Sequence, residues 1–307
     1  MPEEKKITVI VIQGPTGVGK TGATLELAGL FPMEIINADS MQVYRGMDIG
    51  TSKPDSAQQA LVPHHLFSVA EPDEDFSAAD YLRHGRIAIQ AIAARGRVPL
   101  VVGGTGLYVR ALLHGLSDAP AGDQEIRLQL QQQAPAELYE RLCAIDPQSA
   151  ARIQPQDTLR IVRALEVFMT TGTPLSVHHA AHQFRPVPYN ALRLCLNRER
   201  PKLYRRINQR VDQMFADGIV AEVRGLLDKG IAETVKPMQA IGYRHVANYL
   251  RGACSLDETV RCMQKDTRHL AKRQITWLKR VPDVRWINLP QEQTLIAHCV
   301  KKTLNKV

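Results

Sequence analysis

The chain has 307 residues, with 39 Lys and Arg against 31 Asp and Glu, a formal charge of +8 at pH 7. Hydrophobic residues at 44% and charged residues at 23% are ordinary globular values, which excludes a disordered or collagen-like chain and predicts a buried core. No apolar run approaches the roughly 18 residues of a membrane span, and at about 100 to 200 residues per domain the length predicts two domains.

Met1 is followed by Pro2-Glu3-Glu4-Lys5-Lys6 and then directly by a strand-like run, with no secretory h-region or cleavage site, so the expected location is the cytoplasm. Ile7 to Ile12 is β-branched and almost wholly apolar, as a central strand buried on both faces of a parallel sheet should be. Gly14 to Gly19 break it, and Thr21 to Leu30 read as a helix. A second strand, Glu34 to Asn37, delivers Asp39 and Ser40 into the loop after it. Ser77 with Asp80 three residues on forms a capping box that opens a helix to about Ala94, ended by Gly96. Val98 to Val102 is a third buried strand, followed by Gly103-Gly104-Thr105-Gly106.

From about Ser117 to Tyr189 the strand signals stop, and helical stretches alternate with prolines (Pro120, Pro135, Pro147, Pro155, Pro174, Pro186, Pro188). Leu192 to Leu196 reads as a returning strand. The helix from about Pro201 to Asp217 places Leu203, Ile207, Val211 and Met214 on one face, and Arg206 and Arg210 on another. Ser255 with Glu258 predicts a second capping box, opening a long helix to about Arg280. On it Arg261, Lys265, Arg268 and Lys272 recur as a cationic stripe extended by Lys279, with Val260, Met263, Leu270, Trp277 and Leu278 on the opposite, buried side. Asp266 is the only acid between Arg261 and Arg280, an imbalance that favours nucleic acid over a solvated face. Five scattered cysteines (Cys143, Cys195, Cys254, Cys262, Cys299) without a CxxC pair predict reduced thiols. The pair His64-His65 and the trio His178, His179 and His182 lack acid or Cys partners at ligand spacing and read as surface or packing residues.

Gly14-Pro15-Thr16-Gly17-Val18-Gly19-Lys20-Thr21 matches the phosphate-loop pattern in full, with the required strand before it and helix after it. Its N–H groups converge on phosphate oxygens, Lys20 reaches the outer phosphate and the Thr21 hydroxyl ligates Mg²⁺. Together with the strand–helix alternation it predicts an α/β fold, a P-loop NTPase-like parallel sheet flanked by helices with an inserted all-helical subdomain. The expected division is residues 1–116 (first part of the core), 117–190 (helical insertion) and 191–307 (second part, with the basic helix). The third strand ends in Gly103-Gly104 rather than a Walker-B acid. The available carboxylate is Asp39, open to three roles: metal ligand, ordinary N-cap, or general base.

Taken together, these segments resemble the tRNA dimethylallyltransferases of bacterial type. The resemblance rests on Gly14 to Thr21, Asn37 to Tyr44, Asp48 to Pro54, Val102 to Tyr108, Arg160 to Val167 with Thr171-Gly172, Ala240 to Arg244, and Lys272 to Leu278. It implies transfer of a dimethylallyl group from its diphosphate to N6 of the adenosine 3′-adjacent to the tRNA anticodon, with Mg²⁺ and without ATP hydrolysis. It implies Asp39, Arg210 and Thr105 as catalytic residues, with Arg206 the fallback for Arg210, and Gly14 to Thr21 on the diphosphate. For tRNA it implies Asp39, Ser40, Met41, Gln42 and Thr105 at the base, and Arg127, Leu159, Arg160 and Arg163 in the insertion. Ala240, Ile241, Gly242, Tyr243 and Arg244, and Lys272, Arg273, Gln274, Ile275, Thr276, Trp277, Leu278 and Lys279, complete that set. Arg160 and Arg163 can equally pair with Asp157 and Glu166, and Tyr108, Tyr243 and Trp277 are either single base stackers or core residues. The expected partners are tRNA and dimethylallyl diphosphate, with no membrane and no obligate protein partner; a monomer is the default. Two other readings use the same loop: a small metabolite kinase and a nucleotide-gated RNA-binding protein.

Overall fold

The computed structural model describes residues 6–182 and 188–305; Met1 to Lys5 and Pro186 lie outside the described residues. The chain opens with β1 (Thr8–Gln13), α1 (Lys20–Leu30), β2 (Met33–Asn37), α2 (Ser56–Leu61), β3 (His64–His65), α3 (Ala78–Ala94), β4 (Val98–Gly103) and α4 (Gly106–His114). Five helices follow: α5 (Gln124–Gln131), α6 (Pro135–Ile145), α7 (Pro147–Ala150), α8 (Thr158–Thr171) and α9 (Leu175–Ala181). The remainder is β5 (Asn190–Arg198), α10 (Arg200–Ala216), α11 (Ile219–Asp228), α12 (Tyr243–Leu250), α13 (Leu256–Leu278), β6 (Arg285–Leu289) and α14 (Gln293–Leu304).

The strands form one parallel sheet in the order β3-β2-β4-β1-β5-β6, the P-loop NTPase-like α/β arrangement read from the motif. Val9, Val11, Ile36 and Val101 face one core, with α3, α4, α11 and α12. Ile10, Ile12, Ile35, Leu100, Leu194 and Leu196 face a second, with α1 and α14. Burial on both faces is why these strands read as unbroken apolar runs rather than alternating ones. The edge strands β3 and β6 escape the sequence reading: one has two residues, and the other alternates only weakly in burial.

The contacts divide the chain into two compact units, residues 1–113 with 187–307, and residues 114–186. The second has its own core of Leu130, Leu138, Leu142, Ile161 and Leu165. There Glu166 is wholly buried, and its carboxylate accepts the Asp123 N–H at 2.6 Å and pairs with Arg127 at 2.8 Å and Arg163 at 2.6 Å. A buried charge is tolerated because it is paired and hydrogen-bonded.

Two helices carry the site. In α10, Leu203 and Ile207 join one core while Val211 and Met214 join the other, so the helix spans both faces at the sheet's carboxyl edge. The α3 capping box is present, but Ser255 supplies only half of one, accepting from Glu258 N. In α13 the fully buried residues are Thr259, Met263, Ala271 and Leu278; Val260, Leu270 and Trp277 are half-buried, and the helix ends at Leu278 rather than Arg280. The Trp277 ring covers Gly106, which makes it a packing residue.

Candidate active site

The site is built at the carboxyl ends of three neighbouring strands, where ligands bind in open α/β sheets. Because β4 lies between β1 and β2, the loops after all three meet. At Gly103 a Cβ would fall 2.0 Å from Ala38 O, so only glycine lets the chain leaving β2 cross β4 and carry Asp39 toward the phosphate loop. Thr105 secures that crossing: its N–H donates to Ala38 O at 3.1 Å, and its hydroxyl accepts Ser40 N at 3.0 Å. Asn37, fully buried, accepts the Asp39 N–H at 2.8 Å and donates to Asp39 O and Leu66 O, each at 3.0 Å. Asp39 Oδ1 accepts Met41 N at 3.0 Å, closing a turn rather than capping a helix, since none begins directly after it, while Oδ2 has no hydrogen bond to a described residue.

Around the phosphate loop the polar groups converge. Lys20 Nζ donates to Gly14 O at 2.9 Å and Pro15 O at 3.1 Å. From α10, Arg206 Nε donates to Gly17 O at 3.1 Å, and Arg210 Nε donates to the Ser52 hydroxyl. Arg198, at the end of β5, donates to Val18 O. Burial pulls the Arg210 guanidinium below its ordinary range, opposed by the Asp39 carboxylate. Burial also pushes the Lys20 ammonium down to about 8, partly opposed by Asp39 and reinforced by Arg210.

The Lys20 shift has a measurable consequence. Its folded value of about 8 lies below the ordinary 10.5, so this group's contribution to folding rises with pH across that window. An anion bound beside Lys20 restores its proton. Inorganic diphosphate should therefore take up about one more proton on binding near pH 9 than the Lys20→Ala variant does, and equally many near pH 6. Its affinity should fall as pH rises above about 8. Binding heats in two buffers of different ionisation enthalpy check this.

Two cavities open here. The larger, of about 850 Å³, is lined by Thr16, Lys20, Thr21, Asp39, Arg206 and Arg210 and extends to His64 and Phe67. The smaller, of about 330 Å³, is lined by Asp39, Ser40, Met41, Thr105, Ala240, Ile241 and Met263. Thr16, Asp39, Thr51, Ser52, Arg210 and Gln274 line both. A chamber lined by Lys20, Arg206 and Arg210 and a chamber with a more apolar wall thus meet at one carboxylate and one guanidinium. Among the described residues no three His, Cys, Asp or Glu side chains cluster to hold a metal ion. The donor set nonetheless fits Mg²⁺, which usually takes one or two protein oxygens and completes its shell with phosphate and water; the Thr21 hydroxyl lies in the larger cavity.

The residues expected on RNA are distributed unevenly. Leu278 is fully buried and Ile275 is half-buried against the core, so these two act in packing, whereas Tyr243, also buried, lines the smaller cavity. Tyr108 is buried and stacked on Tyr81 at 4.1 Å, not a base stacker. Gln274 holds the site together: its Oε1 accepts Thr16 N at 2.9 Å and its Nε2 donates to Gly104 O at 3.2 Å. Gln42 Nε2 donates to Thr51 O and Ser52 O, and Arg244 pairs with Asp266 at 2.5 Å. Arg160 pairs with Asp157 and Arg163 with Glu166, the pairing weighed from the sequence, and Arg127, for which the sequence suggested no ion pair, shares Glu166 with Arg163. Leu159 is 81% exposed, and Lys272, Arg273, Thr276 and Lys279 are exposed on α13 and its C-cap. Of the stripe, Arg261, Lys265 and Lys272 are exposed, but Arg268 donates to Asn208 Oδ1 at 2.7 Å on α10. The Asp48–Pro54 segment carries part of the resemblance but is given no site residue by it, yet it walls both cavities.

The sequence profile described as IPP transferase matches residues 42–281. The tRNA dimethylallyltransferase of Geobacter metallireducens is 50% identical over 294 residues, 94% of this chain and 95% of that protein. Its counterpart from Geobacter sulfurreducens is 49% identical over 289 residues, 93% of each. The crystal structure of the full-length tRNA isopentenylpyrophosphate transferase of Bacillus halodurans matches at 37% identity with a TM-score of 0.73, covering 98% of both chains. A eukaryotic dimethylallyltransferase acting on tRNA matches at 29% identity with a TM-score of 0.80, over 92% of this chain and 74% of its own.

Proposed function

The chain belongs to the IPP transferase family, and from that membership we propose a division of labour among its residues in the transfer of a dimethylallyl group from dimethylallyl diphosphate to tRNA. The acceptor is N6 of the adenosine immediately 3′ of the anticodon. The observation that carries this reading is the meeting of two cavities at Asp39 and Arg210: a diphosphate fits the larger, an extruded base enters the smaller, and the reacting atoms meet at the junction.

An adenine exocyclic amine is a weak nucleophile because its lone pair is delocalised into the ring. As N6 forms its bond to C1 of the dimethylallyl group, the C1–O bond breaks and its electron pair leaves with the diphosphate. The proton that N6 loses passes to Asp39 Oδ2, while Met41 N holds Oδ1 in place. Lys20, Arg206 and Arg210, with the N–H groups at the start of α1, stabilise the charge on the leaving group. The Thr21 hydroxyl would hold a divalent cation, which we assign as Mg²⁺, and that cation would supply further positive charge beside the leaving group. Thr105 acts by fixing Ser40 and the backbone around Asp39.

Incubation of tRNA with labelled dimethylallyl diphosphate, in parallel with tRNA and ATP, followed by nucleoside analysis, tests the reading. Prenylated adenosine from the first and unconsumed ATP in the second are expected. ATP consumption with phosphorylation of a small acceptor and no prenyl transfer would install the kinase reading instead.

The exposed cations of α13 contact tRNA phosphates in this reading. Each one removed from among Arg261, Lys265 and Lys272 should lower the slope of log affinity against log salt by roughly 0.7 to 0.9 through counterion release. Saturation by dimethylallyl diphosphate should stay unchanged. Arg268→Ala should change the slope less and lower the melting temperature more, because its guanidinium is held by Asn208. Titrations at three salt concentrations decide it, and unchanged slopes for all three exposed positions would move the RNA footprint off this helix.

A further inference from the structure

Glu222 lies in the first turn of α11, far along the chain from the loop of residues 48–53, yet its carboxylate organises that loop. Oε2 accepts the backbone N–H of Asp48 at 2.9 Å and of Ile49 at 2.7 Å, and Oε1 accepts that of Gly50 at 3.0 Å. The Tyr243 hydroxyl donates to Oε1 at 2.7 Å, and its ring lies so close over Gly50 that a Cβ there would fall 2.6 Å from it. Lys53 clasps the other end of the loop, its Nζ donating to Asp48 Oδ1 at 2.5 Å, Tyr44 O at 2.7 Å and Ser68 Oγ at 2.9 Å. Between these clasps sit Thr51 and Ser52, which line both cavities, and the Ser52 hydroxyl accepts Arg210 Nε.

Successive backbone N–H groups that converge on one point form an anion-binding concavity. Here the anion is a side chain of the protein itself, so the concavity serves geometry rather than ligand binding. We propose that Glu222 is a positioning residue for prenyl transfer, setting the 48–53 loop so that Ser52 holds the Arg210 guanidinium at the junction of the two cavities. This rests on the role given to Arg210 above. Glu222→Gln keeps the size of the side chain but turns an NH₂ group toward backbone donors, which leaves at least one N–H without an acceptor and releases the loop. A displacement of about 1 Å in a group that orients reacting atoms costs about 100-fold in rate.

The test is a double-mutant cycle on the full-length protein, read as single-turnover transfer with tRNA and dimethylallyl diphosphate saturating. Glu222→Gln should slow transfer roughly 10- to 100-fold, with tRNA affinity and the donor KM nearly unchanged. In the Ser52→Ala background the same change should cost no more than about threefold, because coupled residues are non-additive. A purely structural role predicts a lowered melting temperature and equal costs in both backgrounds, and that additivity would overturn the proposal, as would a parent-like rate in folded Glu222→Gln. Arg210→Ala separates the two readings. If it transfers normally, the role of Arg210 falls and this inference with it; if it is crippled while the cycle is additive, this inference alone falls. Should Glu222→Gln fail to fold, Tyr243→Phe, which removes one donor and leaves the carboxylate charged, takes its place in the cycle.

Discussion

Asp39→Asn is expected to fold, to bind tRNA as the parent does, and to transfer the prenyl group at least about 100-fold more slowly, the usual scale for removing a general base. The fold should survive because the one hydrogen bond that the Asp39 side chain makes among the described residues, from Met41 N to Oδ1, is one that an amide oxygen also accepts. Binding of the base should survive because Ser40, Met41 and Thr105 still wall the smaller cavity. What the amide lacks is a site for the N6 proton. Single-turnover rates at saturating tRNA measure the loss directly, and near-parent transfer by Asp39→Asn would remove Asp39 as the base. The effect should appear in the rate and not in the donor KM, which distinguishes a lost base from a disturbed phosphate site.

Arg210→Ala is expected to lower the rate of transfer by roughly 100- to 1,000-fold, the scale of one preorganised donor aimed at developing charge. Its Nη groups make no hydrogen bond to a described residue, and its Nε is committed to Ser52, so the charge is held in place with its outer face free for the leaving group. Burial disfavours that charge, and Asp39 and the arriving diphosphate favour it. Arg206 differs: it is exposed, and its Nε is spent on Gly17 O. Arg206→Ala should therefore weaken donor binding more than it slows transfer. A crippled Arg206→Ala beside a near-normal Arg210→Ala would exchange the two assignments. Measuring both rates with tRNA affinity alongside keeps folding and RNA binding out of the comparison.

The competing readings of the phosphate loop fare differently once the chain is folded. A metabolite kinase would seat its acceptor in the smaller cavity but gives the exposed cations Arg261, Lys265 and Lys272 of α13 no task. A non-catalytic RNA binder leaves Asp39 Oδ2 and the Arg210 Nη groups poised at a junction with nothing to do.

The phosphate loop is legible in the chain because strand, turn and helix are contiguous, and the whole motif is eight successive residues, Gly14 to Thr21. The buried face of α10 is legible for the same reason, since Leu203, Ile207, Val211 and Met214 follow helical spacing and all four are buried. The resemblance identified the segments that matter, but a motif does not say whether a residue touches the ligand or holds another that does. Tyr243 and Leu278 proved to be buried, and Gln274 ties α13 to the phosphate loop while lining both cavities. Arg268 looks like its stripe neighbours until Asn208 of another helix is brought beside it. Asp39 lies beside Lys20 because β4 is inserted between β1 and β2, and Glu222 meets Asp48 across 174 positions of sequence. Strand order and pairing between distant segments are long-range consequences of burying two sheet faces at once. No local spacing encodes them, so they were decided only when the chain closed on itself.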